Sequence, residues 1–146
     1  MTHSTRARCT LIVAVAVASL AGTAWSAQRD NQDKKPSVSL KANPPVGFSP
    51  LRVHAAVEIR GGANDYAEFY CPSIEWDWGD GTISENSADC DPYEAGKSTI
   101  QRRFSNDHVY YQSGGFRVAF RLKQKNKLVA MSTANVQVRP GSREDF

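Results

Sequence analysis

Residues 76–81 read WDWGDG and set two carboxylates, Asp77 and Asp80, among two tryptophans and two glycines. A carboxylate pair does acid–base chemistry when burial drives the two pKa values apart. That use requires a cleft and residues that position a substrate. The competing reading is a sheet corner. Asp-Gly is a favoured hairpin dipeptide because both residues tolerate positive φ, and aspartate accepts hydrogen bonds from the backbone just ahead of it. Alternation through SIEWDW puts Ile74, Trp76 and Trp78 on one face and Asp77 on the other. The sequence therefore predicts an inward Trp76, an Asp77 that accepts turn N–H groups, and an Asp80 that belongs to the turn.

Other candidates for chemistry are sparse. His54 falls on the polar face of an alternating run, and His108 precedes a tyrosine pair. No G-x-S-x-G nucleophile elbow and no phosphate-cradling glycine loop occurs in the chain. The stretch DCDPYE offers Asp89, Asp91 and Glu94, hard oxygen ligands of the type calcium takes, without the spacing of the twelve-residue calcium loop. The reading preferred for them is a solvated acidic loop beside a disulfide. Tyr66 and Tyr70 in NDYAEFY, with Tyr93 further on, are candidate partner-binding residues, because tyrosine combines large contact area with a polar handle. Phe69 is expected to cover a local core instead. Arg117, Arg121, Lys123, Lys125 and Lys127 make a basic sheet face. It is expected to be solvated and to discourage edge pairing, with an acidic polysaccharide or lipid headgroup as its other use.

The chain that must position these residues has 146 of them, enough for one domain. Arg6 and Arg8, the apolar run LIVAVAVASL and the small residues of AGTAWSA are ordered as a secretory signal peptide, placed at 1–26. Cleavage is expected after Ser26 or after Ala24. The competing reading is an uncleaved membrane anchor, against which the apolar run counts by being shorter than the roughly 20 residues of a spanning helix; once the leader is cleaved, no membrane span is expected. Loss of the leader removes two arginines and leaves a near-neutral chain, which lacks the long-range field that favours nucleic acid. It also removes Cys9 and leaves Cys71 and Cys90. Two cysteines in an exported, periplasmic or secreted chain predict one disulfide.

Residues 27–36 are polar and read as a flexible lead-in. From there the pattern is of short alternating runs between turn residues. SVSLKA, LRVHAAVEI, SIEWDW, TIQRRF, GFRVAFRLKQ and LVAMSTANVQVR read as strands. NPPVGFSP reads as a turn segment because its prolines cannot donate to a ladder, GDGT and NK read as chain reversals, and residues 61–73 and 85–98 read as long loops. Short strands at regular spacing, with no helical periodicity, indicate an all-β sandwich over 37–140, followed by a short segment at 141–146.

WDWGDG resembles the W-D-F-G-D-G signature of PKD domains, immunoglobulin-like modules first described in polycystin. The second part of that pattern matches HVYYQSGGFRVAF, through His108, Tyr110, Gly114 and Phe116, and its first part matches SPLRVHAAVEI. The resemblance spans 37–140. It implies structural roles for Trp76, Asp77, Gly79, Asp80, Gly81, His108, Tyr110, Gly114 and Phe116, with Trp76 packed between two sheets. It also implies a non-catalytic module that makes protein–protein or protein–carbohydrate contacts, with no cofactor. The alternative is a calcium-dependent accessory subunit of a secreted hydrolase, or such a hydrolase itself. The loops 61–73 and 85–98 are longer than a minimal member needs, and each carries one cysteine. The expected bridge, Cys71–Cys90, ties the two together.

Overall fold

The computed structural model describes residues 34–141. The leader at 1–26, most of the lead-in at 27–36, and residues 142–146 lie outside the described residues. Eight strands form two sheets. β1 (Ser37–Asn43), β3 (Leu51–Arg60) and β6 (Arg103–Tyr110) make an antiparallel sheet in the order β1-β3-β6. β2 (Val46–Phe48), β8 (Lys127–Arg139), β7 (Gly114–Gln124), β4 (Ser73–Asp77) and β5 (Ile83–Ser87) make the second, in the order β2-β8-β7-β4-β5. β2 runs parallel to β8, and the remaining pairs are antiparallel.

Period-two alternation explains why the sheets close on each other. Val53, Ala55, Val57 and Ile59 of β3 are buried while their neighbours face out. They meet Trp76, Val118, Phe120, Leu122, Val136 and Val138 from the other sheet in one continuous core. Burial of that core is the main stabilising term, at about 25 cal/mol per Å² of apolar surface.

Several sequence expectations are corrected here. NPPVGFSP is not all turn, for its centre is β2. Gly47 faces inward, where an added Cβ would meet Leu51 at 2.4 Å, and the prolines flank the three paired residues rather than interrupt them. The strand expected at TIQRRF begins at Arg103 and continues through HVY. Residues 99–102 are spent instead on the first insertion. Ile100 N donates to Asn64 O at 2.7 Å, and the Arg102 guanidinium donates to the carbonyls of Gly61, Gly62 and Ala63 and to Asn64 Oδ1. The second insertion starts at 88, because 83–87 form β5. The β7–β8 reversal uses Lys125 and Asn126, with φ of 47° and 65°. Both central residues of a two-residue loop with left-handed φ match the twist of the flanking strands.

Candidate functional site

Trp76 and Trp78 are 2% and 1% exposed and stack at 5.9 Å, with Phe120 edge-on to Trp76 at 4.9 Å. The chain then turns through residues 79–81. Positive φ falls on Gly79 (78°) and Gly81 (91°), not on Asp80, so this is not the expected two-residue Asp-Gly turn. Gly79 is required twice over. Its φ is left-handed, and a Cβ there would lie 2.8 Å from Arg117 O.

The polar side chains of the corner are paired. Gly79 N donates to Asp77 Oδ1 at 3.1 Å. Thr82 N and its hydroxyl donate to Asp80 Oδ1 at 3.0 and 2.6 Å. His108 Nε2 lies 2.6 Å from Asp80 Oδ2. The His108 ring stacks on Trp78 at 4.7 Å and meets Tyr110 edge-on. The Tyr110 hydroxyl donates to Trp78 O at 2.8 Å, and its ring stacks on Phe116 at 4.4 Å. An added Cβ on Gly114 would stand 3.3 Å from the Phe116 ring. Burial works against ionisation of Asp80, but the bonds from Thr82 and His108 outweigh it and hold the carboxyl below its usual range. The Tyr110 phenol is pushed far above its usual range by burial and by the charges of Asp80 and Asp77. The oxygens of both carboxylates are spent on donors of the corner and of β7, an arrangement that serves the fold.

The basic face is not simply solvated. Glu75, 8% exposed, lies on the outer face of β4 and takes hydrogen bonds from Lys123 and Arg121. Arg121 also donates to Asp77 Oδ2 at 3.2 Å. The sequence hid this ladder because Glu75 and Arg121 are 46 residues apart and meet only through the β4–β7 register. The bonds from Lys123 and then Arg121 hold the Glu75 carboxyl below its usual range. A depressed folded pKa contributes stability above the unfolded value, about 4.3 for glutamate, and loses it as pH falls. Arg121→Met is therefore expected to cost about 2 kcal/mol at pH 7, since it leaves a half-neutralised buried carboxylate. The deficit should shrink as pH drops below about 4. Urea denaturation of both proteins at pH 7 and pH 3 checks this, and an undiminished deficit at pH 3 would contradict it.

The other candidates gather at the insertion end. Cys71 and Cys90 are bridged. The 3₁₀ turn Ala67–Phe69 drives Phe69 into the core, with Tyr66 edge-on to it at 5.6 Å. Tyr70 and Tyr93 pack ring to ring at 5.6 Å. Their hydroxyls cross between the insertions, Tyr70 donating to Asp91 O at 3.0 Å and Tyr93 to Asp65 O at 2.6 Å. Gly96 N donates to Asp65 Oδ2 at 2.7 Å. Tyr66 and Tyr70 thus serve the internal packing, while Tyr93 keeps 40% exposure. Asp89, Asp91 and Glu94 do not converge on one point. Among the described residues no three His, Cys, Asp or Glu side chains form a group that could hold a metal, and Glu94 is paired with Lys97.

No family model matches the chain, and no curated protein matches it. Solved structures do. The CARDB domain of a Pyrococcus furiosus protein is similar at 14% identity over 70% of this chain and 93% of that one, with a TM-score of 0.50. A crystal structure of that domain in complex with di-metal ions is similar at 14% identity over 72% and 88%, also with a TM-score of 0.50. The chain is an immunoglobulin-like β-sandwich. The PKD domain of an M14-like peptidase from a Thermoplasmatales archaeon is a further neighbour, at 14% identity over 73% of this chain and 98% of that one, with a TM-score of 0.49. At these identities the likeness is one of fold. In this sandwich the WDWGDG corner clamps the two sheets together through the Asp80–His108 and Trp78–Tyr110 bonds, and the disulfide-tied insertions occupy a separate surface.

Proposed function

We propose that the protein is a small, non-catalytic binding module that acts outside the cytoplasm, in a periplasm or secreted, through contacts with a protein or a polysaccharide. The observation that carries this reading is the cross-tied pair of insertions. A disulfide and three further bonds between 64–71 and 90–96 hold an irregular, exposed surface on a rigid sandwich. Sandwich folds place recognition on such loops because the sheets hold them while leaving their sequence free. The bridge suits an oxidising compartment. The carboxylates and histidine that an enzyme would use, Asp77, Asp80 and His108, serve the corner.

Crosslinked capture from the native envelope fraction tests the reading, with Tyr93→Ala compared against Arg117→Glu/Lys125→Glu. Arg121 is left intact because its reversal would strip Glu75. The loop variant is expected to lose the partner at both low and physiological salt. Loss confined to the charge-reversed variant, with steep salt dependence, would move the contact to the basic face. Absence of any captured partner, together with hydrolase activity abolished by a chelator, would overturn the module reading in favour of the enzyme.

A further inference from the structure

An open sandwich leaves backbone edges that invite another strand, and this one treats its edges unequally. At the β1 edge, Leu40 N donates to the Ser132 hydroxyl of β8 at 3.0 Å. The β2 edge is three residues long. β6 is blunted by its own neighbourhood, with Gln101 Nε2 donating to Arg103 O at 2.9 Å and Asp107 N donating to Asn106 Oδ1 at 2.9 Å. β5 has none of this. It ends the five-stranded sheet and is mostly exposed. Among the described residues, no group outside its partner strand β4 bonds to its backbone.

Two further features lie on either face of that edge. Inside, beneath the Cys71–Cys90 bridge, is a cavity of about 230 Å³. Ile74, Phe104 and Tyr70 give it apolar walls, and Asn86 of β5 and Gln101 give it an amide rim. Outside, Glu85 faces the solvent directly across from Glu75. Arg121 and Lys123 neutralise Glu75, whereas Glu85 has no cationic partner among the described residues. The bare edge therefore has a partly apolar, half-open pocket on one side and a carboxylate without an ion-pair partner on the other, one residue apart along the same strand.

We propose that β5 receives an extended segment of a partner protein as an added strand. Strand addition draws affinity from main-chain bonds and specificity from pockets for alternate side chains. Because successive side chains point to opposite faces, the residue set against Glu85 is basic. Its neighbour, turned toward Asn86, is aromatic or large aliphatic and enters the cavity. A dry cavity of about 150 Å³ already holds benzene, so a phenyl side chain fits this one. The segment recognised is thus a β-prone peptide with a basic residue next to an apolar one. This inference rests on the binding-module reading and adds to it the chemistry of the partner.

The probe is a blocked heptapeptide, acetyl-Thr-Val-Lys-Phe-Thr-Val-Thr-amide, titrated into the oxidised protein and followed by amide NMR. Saturable shifts are expected in residues 83–87, Ile74 and Gln101. A peptide with serine in place of phenylalanine should bind roughly tenfold more weakly, through loss of the apolar contact. Glu85→Lys, at an exposed site, should weaken the lysine peptide about fivefold and favour a peptide with glutamate at that position. Shifts mapping to another face, equal affinity of the serine peptide, or no crossover with Glu85→Lys would each overturn the proposal. If native partners are still captured while the peptide leaves β5 unshifted, strand addition falls and the module reading stands.

Discussion

Trp76→Ala is expected to remove about 3–5 kcal/mol of folding free energy, the range for deleting a large buried aromatic. The indole is stacked on Trp78, edge-on to Phe120 and 2% exposed. Its loss opens a void at the centre of the core and not at its rim. Domains of this size hold about 5–15 kcal/mol in total, so the variant should lie near the threshold of folding at 37 °C. Asp77→Asn is expected to cost less. An amide oxygen still accepts from Gly79 N, and only the attraction to Arg121 is lost. Equilibrium denaturation of both variants decides the matter. A Trp76→Ala protein of wild-type stability would mean that the indole does not fill the core as described.

The second large effect concerns the bridge. Cys71→Ala/Cys90→Ala removes a cross-link with a sequence separation of 19, worth about 3 kcal/mol in the chain-entropy account. For a domain of about 100 residues that corresponds to a fall in Tm of roughly 12–24 °C. Differential scanning calorimetry of the variant, and of the wild type with and without reductant, should agree. Alkylation should find no free thiol in the oxidised mature protein. An unchanged Tm would show that the Tyr70, Tyr93 and Gly96 bonds hold the insertions together without the covalent tie.

The core was legible in the sequence because burial follows period two. Val53 to Ile59 and Val118 to Leu122 could be assigned to one face from alternation alone, and Trp76 followed from the same count. What escaped depended on pairing between distant residues. Glu75 carries no local signal in SIEWDW, and only the β4–β7 register makes it a buried anion held by two cations. Arg102 falls within TIQRRF, the run read as a strand. It became the hub of the first insertion because four carbonyl and amide oxygens of that loop converge on it. β2 was hidden by its flanking prolines, which forbid ladder donors at 44, 45 and 50 but not at the residues between. The candidate surface was partly legible. The cysteine count placed the bridge, whereas the bare edge of β5 and the cavity beside it follow from strand order, which no local pattern encodes.

The direction of β2 has a mechanical consequence. β1 and β2 follow one another along the sandwich, and β2 lies parallel to β8. The chain therefore enters near Ser37 at one pole and leaves near Arg139 at the other. Tension applied through the two ends pulls β2 and β8 along their axes in opposite senses, so their bonds, with the added tie from Ser49 N to Arg139 O at 2.9 Å, are loaded together in shear rather than opened one at a time. A module held in this way between two attachment points would carry force along its length through the paired strands of both sheets, β1 on β3 and β2 on β8.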